Sequence, residues 1–476
     1  MLAATRAREI DAVVKPIDVY HRLPSRLRNW AASFYGRRLW KLRYGARTDT
    51  WADEALRAER RRAEENDAAR ADRLRDVLRR AVERVPYYRE AWRRRREQGY
   101  DPSRLADWPI LEKEQLRASP ERFLADDVDR RELVAEHTSG TTGTPLHLWW
   151  DRGATQRHYA LFEARWRRWY GVSRFDRWAM LGGRLVASMA QTRPPFWVWN
   201  APMRQLYMSS YHLSPTLTPY YLDALKRYEI RYLWGYTSSL YSLAQDVLRL
   251  GLERLPMTVA VANAEPVYDF QRAAIAEAFQ CPVRETYGMS ELVACAGECE
   301  QGRLHLWPET GVVEVVDDER PVEPGGVGDL ICTGLLNDAM PLIRYRVGDR
   351  GSLVAGSMTC ACGRTLPMLG GIEGRLDDVL ITPDGRRIGR LDTVFKADWP
   401  IREAQIVQDR PDEVRLRFVP TTDFSEASGA GIRRELQSRL HGLRVILEPV
   451  DRIERTAGGK FRAVVNRCKN AEVRTH

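Results

Sequence analysis

The spacing of apolar and polar positions changes character along the chain. From Pro16 to about Gly45, arginines are mixed with Leu, Trp, Phe and Tyr, as in Leu27-Arg28-Asn29-Trp30 and Arg38-Leu39-Trp40-Lys41-Leu42. That pattern predicts a basic amphipathic helix. Glu54 to Arg84 is almost free of breakers and rich in Ala, Arg and Glu. Its i,i+4 charge pairs predict a second, long, exposed helix. Pro86, Pro102, Pro109 and Pro120 then punctuate a run to about Asp127 that reads as linker-like. From Glu132 short β runs alternate with helices. Strands are predicted at 232–235 and 258–262, and helices at 240–250 and 270–279. This alternation predicts an α/β fold with a largely parallel sheet. After Gly374 the pattern restarts on a smaller scale, with strands near 404–407, 414–418 and 445–450 and a helix near 432–440. The expected organisation is a basic helical region (1–130) packing on a large domain (131–374), followed by a small α+β domain (375–476).

Composition narrows this picture. The chain has 476 residues, which suits two or three domains at about 100–200 residues each. No apolar run approaches the ~20 residues that span a bilayer, and Met1–Arg6 lacks the apolar core of a secretory signal. A soluble, cytoplasmic protein is expected. The formal net charge is +10, but the first hundred residues alone hold 26 Lys+Arg against 15 Asp+Glu, and the rest is within one charge of neutral. Lysines number seven against 68 arginines, which reads as a codon-composition effect. A neutral body argues against a nucleic-acid partner. The basic segment reads first as a helix packed on the body with a solvated Arg face. Its second reading is a helix lying on an anionic membrane. Five of the seven cysteines lie between 295 and 362, a cluster that suggests a metal rather than a disulfide framework.

The sharpest local signal is Thr138-Ser139-Gly140-Thr141-Thr142-Gly143-Thr144-Pro145, between two β runs. Glycines let backbone approach an anion while hydroxyls and amides donate to phosphate oxygens. A polar hairpin loop would use the same residue types, though rarely eight in succession. No Lys-Ser or Lys-Thr follows the second glycine, so this is not a Walker A loop.

With these residues the chain resembles the adenylate-forming enzymes, the acyl-CoA synthetases and their relatives, whose phosphate loop reads Thr-Ser-Gly-Thr-Thr-Gly-x-Pro. Further segments resemble the family's motifs in the same order. They are Asn263-Ala264-Glu265-Pro266 (adenine site), Glu285-Thr286-Tyr287-Gly288-Met289-Ser290-Glu291, Pro341-Leu342-Ile343-Arg344-Tyr345-Arg346-Val347-Gly348-Asp349, Gly374-Arg375-Leu376-Asp377-Asp378 (hinge) and Thr456-Ala457-Gly458-Gly459-Lys460. Within the superfamily the likeness is to the phenylacetate–CoA ligase group, in particular its branch associated with capsular polysaccharide genes. It rests on Val85-Pro86-Tyr87-Tyr88-Arg89, Pro109-Ile110-Leu111-Glu112-Lys113 and Cys360-Ala361-Cys362-Gly363-Arg364, and spans roughly residues 20–467.

The resemblance implies ATP, Mg²⁺ and, as co-substrate, coenzyme A. It implies Thr138, Ser139, Gly140, Thr141, Thr142 and Gly143 around phosphate, and Asn263, Ala264, Glu265 and Pro266 beside adenine. Tyr287, with Gly288, Met289 and Ser290, would face the base, Glu291 would hold Mg²⁺ and Asp349 the ribose hydroxyls. Arg375 would contact the nucleotide, Asp377 would be the pivot of the small domain, and Lys460 the catalytic lysine. A carboxylate is a weak nucleophile, so such a site needs charge and fixed dipoles around the phosphoryl group. The resemblance also implies a structural zinc on Cys299, His305, Cys360 and Cys362, with Cys295 a rival for Cys299. His137 and His212 are expected to be structural, and the aromatics at 196–199 and 234–236 to be mainly core.

The expected activity is ATP-dependent activation of a small carboxylic acid with transfer to coenzyme A. The alternatives are transfer to an amine of an amino acid or sugar, and a non-catalytic part in surface polysaccharide assembly. A homodimer is one assembly open to the chain.

Overall fold

The computed structural model describes residues 16–137, 146–188, 190–355, 359–375, 380–381, 387–388, 399–440, 443–455 and 461–468. Six helices open the chain: α1 (Pro16–Arg22), α2 (Ser25–Arg43), α3 (Thr48–Ala58), α4 (Ala63–Arg84), α5 (Pro86–Glu97) and α6 (Lys113–Ala118). The expected first helix is therefore two, parted at Pro24, whose ring and missing N–H suit a helix boundary. The expected helix from Glu54 to Arg84 is also two. Glu59 ends α3 because its carboxylate turns inward, accepting from Trp169 Nε1 (3.0 Å) and Arg364 Nε (3.2 Å). The linker-like run is a further correction. Pro86 starts α5, where its missing N–H costs nothing, and Tyr88, Trp92 and Trp108 of this run are buried in the core.

A hairpin of β1 (Val134–His137) and β2 (His147–Trp150) flanks the loop 138–145 and leads into α7 (Arg152–Arg165). There follow β3 (Trp178–Gly182), β4 (Trp197–Asn200), β5 (Gln205–Ser209), α8 (Thr218–Arg227), β6 (Tyr232–Tyr236), α9 (Thr237–Arg249), β7 (Ala260–Asn263), α10 (Asp269–Phe279) and β8 (Val283–Gly288). The chain then runs through β9 (Cys295–Glu298), β10 (Leu304–Leu306), β11 (Gly311–Asp317), β12 (Arg320–Pro321), β13 (Val327–Gly334), β14 (Tyr345–Leu353) and β15 (Met368–Arg375). All from β3 to β15 join one sheet of thirteen strands, ordered 12-11-13-14-15-10-9-8-7-6-3-5-4.

Within this sheet the strand pairings β5–β3, β3–β6, β6–β7 and β7–β8 are parallel and the other described ones antiparallel. The expectation of a largely parallel sheet thus holds for the helix-crossed part alone. Parallel neighbours need long crossovers, supplied here by α8, α9 and α10, whereas the short connections after β8 permit only antiparallel pairing. Two of the apolar clusters on this sheet carry α4, α5 and α8–α10. One joins α4 and α5 to β13 and β14 through Leu78, Trp92, Leu330 and Tyr345. The other joins α8, α9 and α10 to the parallel strands through Leu206, Leu233, Leu243 and Phe279.

Beyond a short hairpin of β16 (Leu380–Ile381) and β17 (Arg387–Ile388), a separate sheet ordered 20-19-18-21 contains β18 (Ile401–Arg410), β19 (Glu413–Pro420), β20 (Arg444–Pro449) and β21 (Val464–Asn466). With α11 (Glu426–Arg439) it buries its own core of Ile406, Leu416, Phe418, Ile432 and Leu436. Among the described residues no helix is long and apolar enough to cross a membrane.

Charge is also buried under the large sheet. The Arg167 guanidinium donates to Tyr232 Oη (3.0 Å), Tyr44 Oη (2.9 Å) and Glu163 (3.2 Å), and both ions are almost completely covered. Glu163 also accepts from the Arg174 backbone N–H at 3.1 Å. Removing one member of such a pair strands the other in low dielectric. Glu163→Ala is therefore expected to lower stability by about 3–5 kcal/mol, read as a shift of the urea midpoint, while Arg62→Ala, whose partner Glu65 is exposed, is expected to leave it nearly unchanged.

Candidate active site

The parallel strands end where two of the sequence motifs begin. Asn263 closes β7, and Tyr287 and Gly288 close β8 beside it. Carboxyl ends of parallel strands are where open α/β sheets bind ligands. Three of the eight non-glycine residues with positive φ among the described residues lie here: Ala264, Leu292 and Arg344 have φ of +64°, +56° and +48°, left-handed values that such residues adopt rarely. Asn263 Oδ1 is buried with no hydrogen-bond partner among the described residues. A buried acceptor left open is costly unless something fills it.

Tyr287 Oη donates to Asp349 Oδ2 at 2.8 Å, so the second and third motifs meet. The Asp349 backbone is paired with Arg375 across β14 and β15. Tyr345, four residues before Asp349, donates its hydroxyl to Glu291 Oε1 at 3.0 Å, and Lys113 Nζ lies 3.9 Å from the same oxygen. Glu265 accepts from Ser238 N–H (2.7 Å), Ser238 Oγ (3.1 Å) and Phe461 N–H (2.7 Å). The residue that follows Lys460 is thereby bonded to the 263–266 segment. Burial pushes the Glu265 carboxyl up despite these donors.

Asn263–Pro266, Tyr287–Glu291 and Asp349 are therefore brought together. Thr138, Ser139, Gly140, Thr141, Thr142, Gly143, Asp377 and Lys460 lie outside the described residues, and Arg375 is described by its backbone alone. Sequence reasoning missed Lys113 and Tyr345 as neighbours of Glu291. A signal existed for Lys113, one of only seven lysines. Beside this site the small unit and the large one enclose a cavity of about 330 Å³, lined by Tyr241, Arg249, Trp399, Arg402, Arg455 and Phe461 among others.

The cysteine cluster is equally definite. One ligand atom each from Cys299, His305, Cys360 and Cys362 falls within 4.8 Å of all the others. Cys299 Sγ and Cys360 Sγ are 3.8 Å apart, and Cys362 Sγ is 3.3 Å from His305 Nε2. Two sulfurs bound tetrahedrally at ~2.3 Å from one ion stand about 3.8 Å apart. His305 Nδ1 donates to Leu366 O at 3.2 Å, which turns Nε2 towards the thiols. Cys295 is buried but outside this group, so of the two rivals it is Cys299 that joins. Burial pushes the Cys299 thiol up to about 11. Burial opposes ionisation of Cys362 as well, but the Arg364 amide and guanidinium outweigh it and hold that thiol below its ordinary value.

His212 is structural as expected. Its two ring nitrogens face Ser209 Oγ (2.8 Å) and Ser188 O (3.1 Å), and it stacks on Phe196. Phe196 and Trp234 are buried in apolar clusters. His137 pairs with His147 in the β1–β2 hairpin through its backbone.

Known proteins can now be set beside this geometry. Residues 380–467 match the family model of the CapK C-terminal domain. Protein CapK of Staphylococcus aureus is 26% identical, over 76% of this chain and 80% of its own length. The phenylacetate-coenzyme A ligase of Thermus thermophilus is 28% identical, over 84% of this chain and 96% of its own length. Among solved structures, a 2-hydroxyisobutyryl-CoA ligase in the postadenylation state, in complex with R3-HIB-AMP, superposes with a TM-score of 0.66 at 23% identity, over 86% of this chain and 91% of that one. The fold so defined is that of the adenylate-forming CoA ligases. In sequence the chain is a relative of phenylacetate-coenzyme A ligases and of protein CapK.

One consequence can be read by titration. Burial, reinforced by Glu298, pushes the Glu285 carboxyl up to about 7. The folded state holds this proton more tightly than the unfolded chain, so the resulting stability is complete at low pH and is lost as pH rises through about 7. Glu285→Gln is expected to flatten the dependence of the unfolding midpoint between pH 5 and 8, by an amount of the order of 1–3 kcal/mol. Unchanged pH dependence in the variant would place the titrating group elsewhere.

Proposed function

We propose that this chain activates a small carboxylic acid with ATP and passes the acyl group to the thiol of coenzyme A. The reading is carried by one observation: motifs at 263–266, 287–291 and 349, far apart in sequence, converge at the carboxyl ends of the parallel strands. Asn263 Oδ1, buried and open, suits an amino-group donor of a purine. Asp349, which accepts from Tyr287 Oη, is assigned to the ribose hydroxyls because a carboxylate can accept several hydrogen bonds at once.

In the first step a carboxylate oxygen of the acid attacks the α-phosphorus of ATP, the bond to the β-phosphate oxygen breaks, and pyrophosphate leaves with the electron pair. The loop 138–143 is assigned to the phosphates. Glu291 is assigned to Mg²⁺, whose charge would offset that on the phosphates; its recorded contacts fall on Oε1, and a hard carboxylate oxygen suits that ion. Lys460 is assigned to the α-phosphate and carboxylate oxygens, and Arg375 to the nucleotide. In the second step the thiol sulfur attacks the acyl carbonyl, its proton is lost, and AMP departs. We propose that residues 375–476 act as a unit turning about Asp377 between the steps. The cavity carries Arg249 and aromatic side chains beside the pairs Arg455–Glu403 and Arg402–Asp246; the preference for coenzyme A over an amine is supported by the likeness to phenylacetate-coenzyme A ligases. A cytoplasmic setting follows from the need for ATP.

ATP–pyrophosphate exchange across aryl, fatty and amino acids tests this. Exchange with at least one acid is expected, with a loss of about 100-fold or more in Lys460→Ala and in Asp349→Ala. No exchange with any acid, or full exchange in Lys460→Ala, rejects the proposal. With a competent acid, AMP release dependent on coenzyme A supports the thioester, and release dependent on an amine alone replaces it.

We also propose that Cys299, His305, Cys360 and Cys362 hold a structural zinc. All four ligands come from the protein, leaving no open position for chemistry. Metal analysis of purified protein is expected to give about one zinc per chain. Cys360→Ala is expected to lose the metal and melt at a lower temperature. Absence of metal from the wild-type protein would reject the site.

A further inference from the structure

Helix α2 is mounted with its apolar side outward. The side chains facing the body are polar or small. Asn29 Oδ1 accepts from Trp199 N–H at 2.9 Å, and Ser33 Oγ accepts from Ala201 N–H at 3.1 Å and donates to Trp199 O at 3.4 Å. Arg28, buried, donates to Val186 O at 3.2 Å and Gln191 Oε1 at 3.3 Å. At Gly36 an added Cβ would stand 1.9 Å from Asn200 Oδ1, so the helix rests directly on β4. That strand is the edge of the large sheet, and α2 occupies peptide groups which an edge leaves open. The orientation is therefore fixed by hydrogen bonds and close contact.

The opposite face is apolar and basic together. Leu27, Trp30 and Phe34, spaced to share one side, are 50%, 69% and 58% exposed, and the rings of Trp30 and Phe34 stack at 5.9 Å. Exposed Arg26, Arg37, Arg38 and Lys41 surround them, and the helix contains no Asp or Glu. Nearby, His21 Nε2 donates to the carbonyl of Leu185, itself 40% exposed. Among the described residues none of these four cations forms an ion pair, whereas α4 pairs Arg73 with Asp338 and Arg80 with Asp127.

We propose that this face docks on an anionic lipid bilayer. Leu27, Trp30 and Phe34 would enter the boundary between headgroups and acyl chains, with Arg26, Arg37, Arg38 and Lys41 against lipid phosphates. Aromatic rings beside cations with no acidic residue are what an interfacial helix needs. A second copy would set the same basic face against itself, a like-charge contact. The proposal does not depend on the adenylation chemistry.

The full-length protein is mixed with phosphatidylcholine vesicles with and without phosphatidylglycerol and centrifuged, alongside equilibrium sedimentation of the protein alone. Binding is expected to the anionic vesicles, to weaken as salt is raised, and to fall about tenfold or more in L27E/W30E/F34E at an unchanged unfolding midpoint. Arg26→Gln/Arg37→Gln/Arg38→Gln is expected to remove the preference for anionic lipid. No vesicle binding by the wild type overturns the proposal, as does equal binding by a folded L27E/W30E/F34E. A wild-type dimer split by those substitutions overturns it as well, by assigning the face to a second copy.

Discussion

The candidate site depends on how strand β14 is held. Leu111 lies beside it as an extra parallel rung, its N–H bonded to Arg344 O (2.9 Å) and its carbonyl accepting from Arg346 N–H (3.0 Å). Successive side chains of a strand point to opposite faces, and here the faces divide the work. Tyr345 and Asp349 share one side and reach Glu291 and Tyr287. Arg346 and Arg350 share the other and are clamped by Asp329, with Glu112 also on Arg346. A slip of one residue would exchange the two sets. The ion pairs and the Leu111 rung therefore fix which side chains face the 287–291 segment.

The same reasoning explains segments that look unrelated to chemistry. Tyr88 receives the Ile343 N–H at 3.1 Å and donates to Pro341 O at 3.2 Å, so α5 grips the chain just before β14. Arg344, strained at positive φ, donates to Trp108 O (2.7 Å) and Glu314 (3.1 Å). Both ties reach into the proline-punctuated run that reads as a linker. At the other boundary one carboxylate couples the two units, since Glu265 is held by Ser238 of α9 and by Phe461 of the small unit. Turning the small unit away must give up the Phe461 bond, a hydrogen bond to a charged group of the kind worth about 1.5–3 kcal/mol.

Much of this was legible in the sequence, for identifiable reasons. Period and punctuation located β6, α9, α10, β18, β19 and β20, each a short run bounded by turns, and missed the short β16, β17 and β21. The four zinc candidates were placed by resemblance and do converge, with Cys295 at the start of β9 and Cys299 just past its end. What failed was what composition hides. Glu59 looks like one more helical glutamate until Arg165 and Arg364 are seen to require it as a buried counter-ion. The antiparallel half of the sheet escaped because its strands lack the helical spacers that advertise β units. Lys113 and Tyr345 reach Glu291 through tertiary contacts that no spacing records.

The excess positive charge divides by partner rather than by position. Arginines of α4 are neutralised within the helix, as with Arg75 and Asp72 or Arg79 and Asp76, or against the body through Asp338 and Asp127. Arg89 and Arg122, one on α5 and one in the turn beyond α6, are likewise matched by Asp126 and Glu90. The last turns of α5 expose Arg93, Arg94 and Arg96, yet the one large apolar side chain exposed nearby, Tyr100, is covered by Arg95 at 4.2 Å. That cluster reads as solvated charge. On α2, cations that form no ion pair among the described residues share with exposed aromatic rings a face whose opposite side is committed to β4. A helix free to turn would bury Leu27, Trp30 and Phe34 and hydrate Asn29 and Ser33. The contact at Gly36 and the bonds to Trp199 and Ala201 hold it the other way, at the expense of leaving apolar surface in water. A sequence with no use for that surface has a simple remedy, polar residues at three exposed positions, and this one has not taken it.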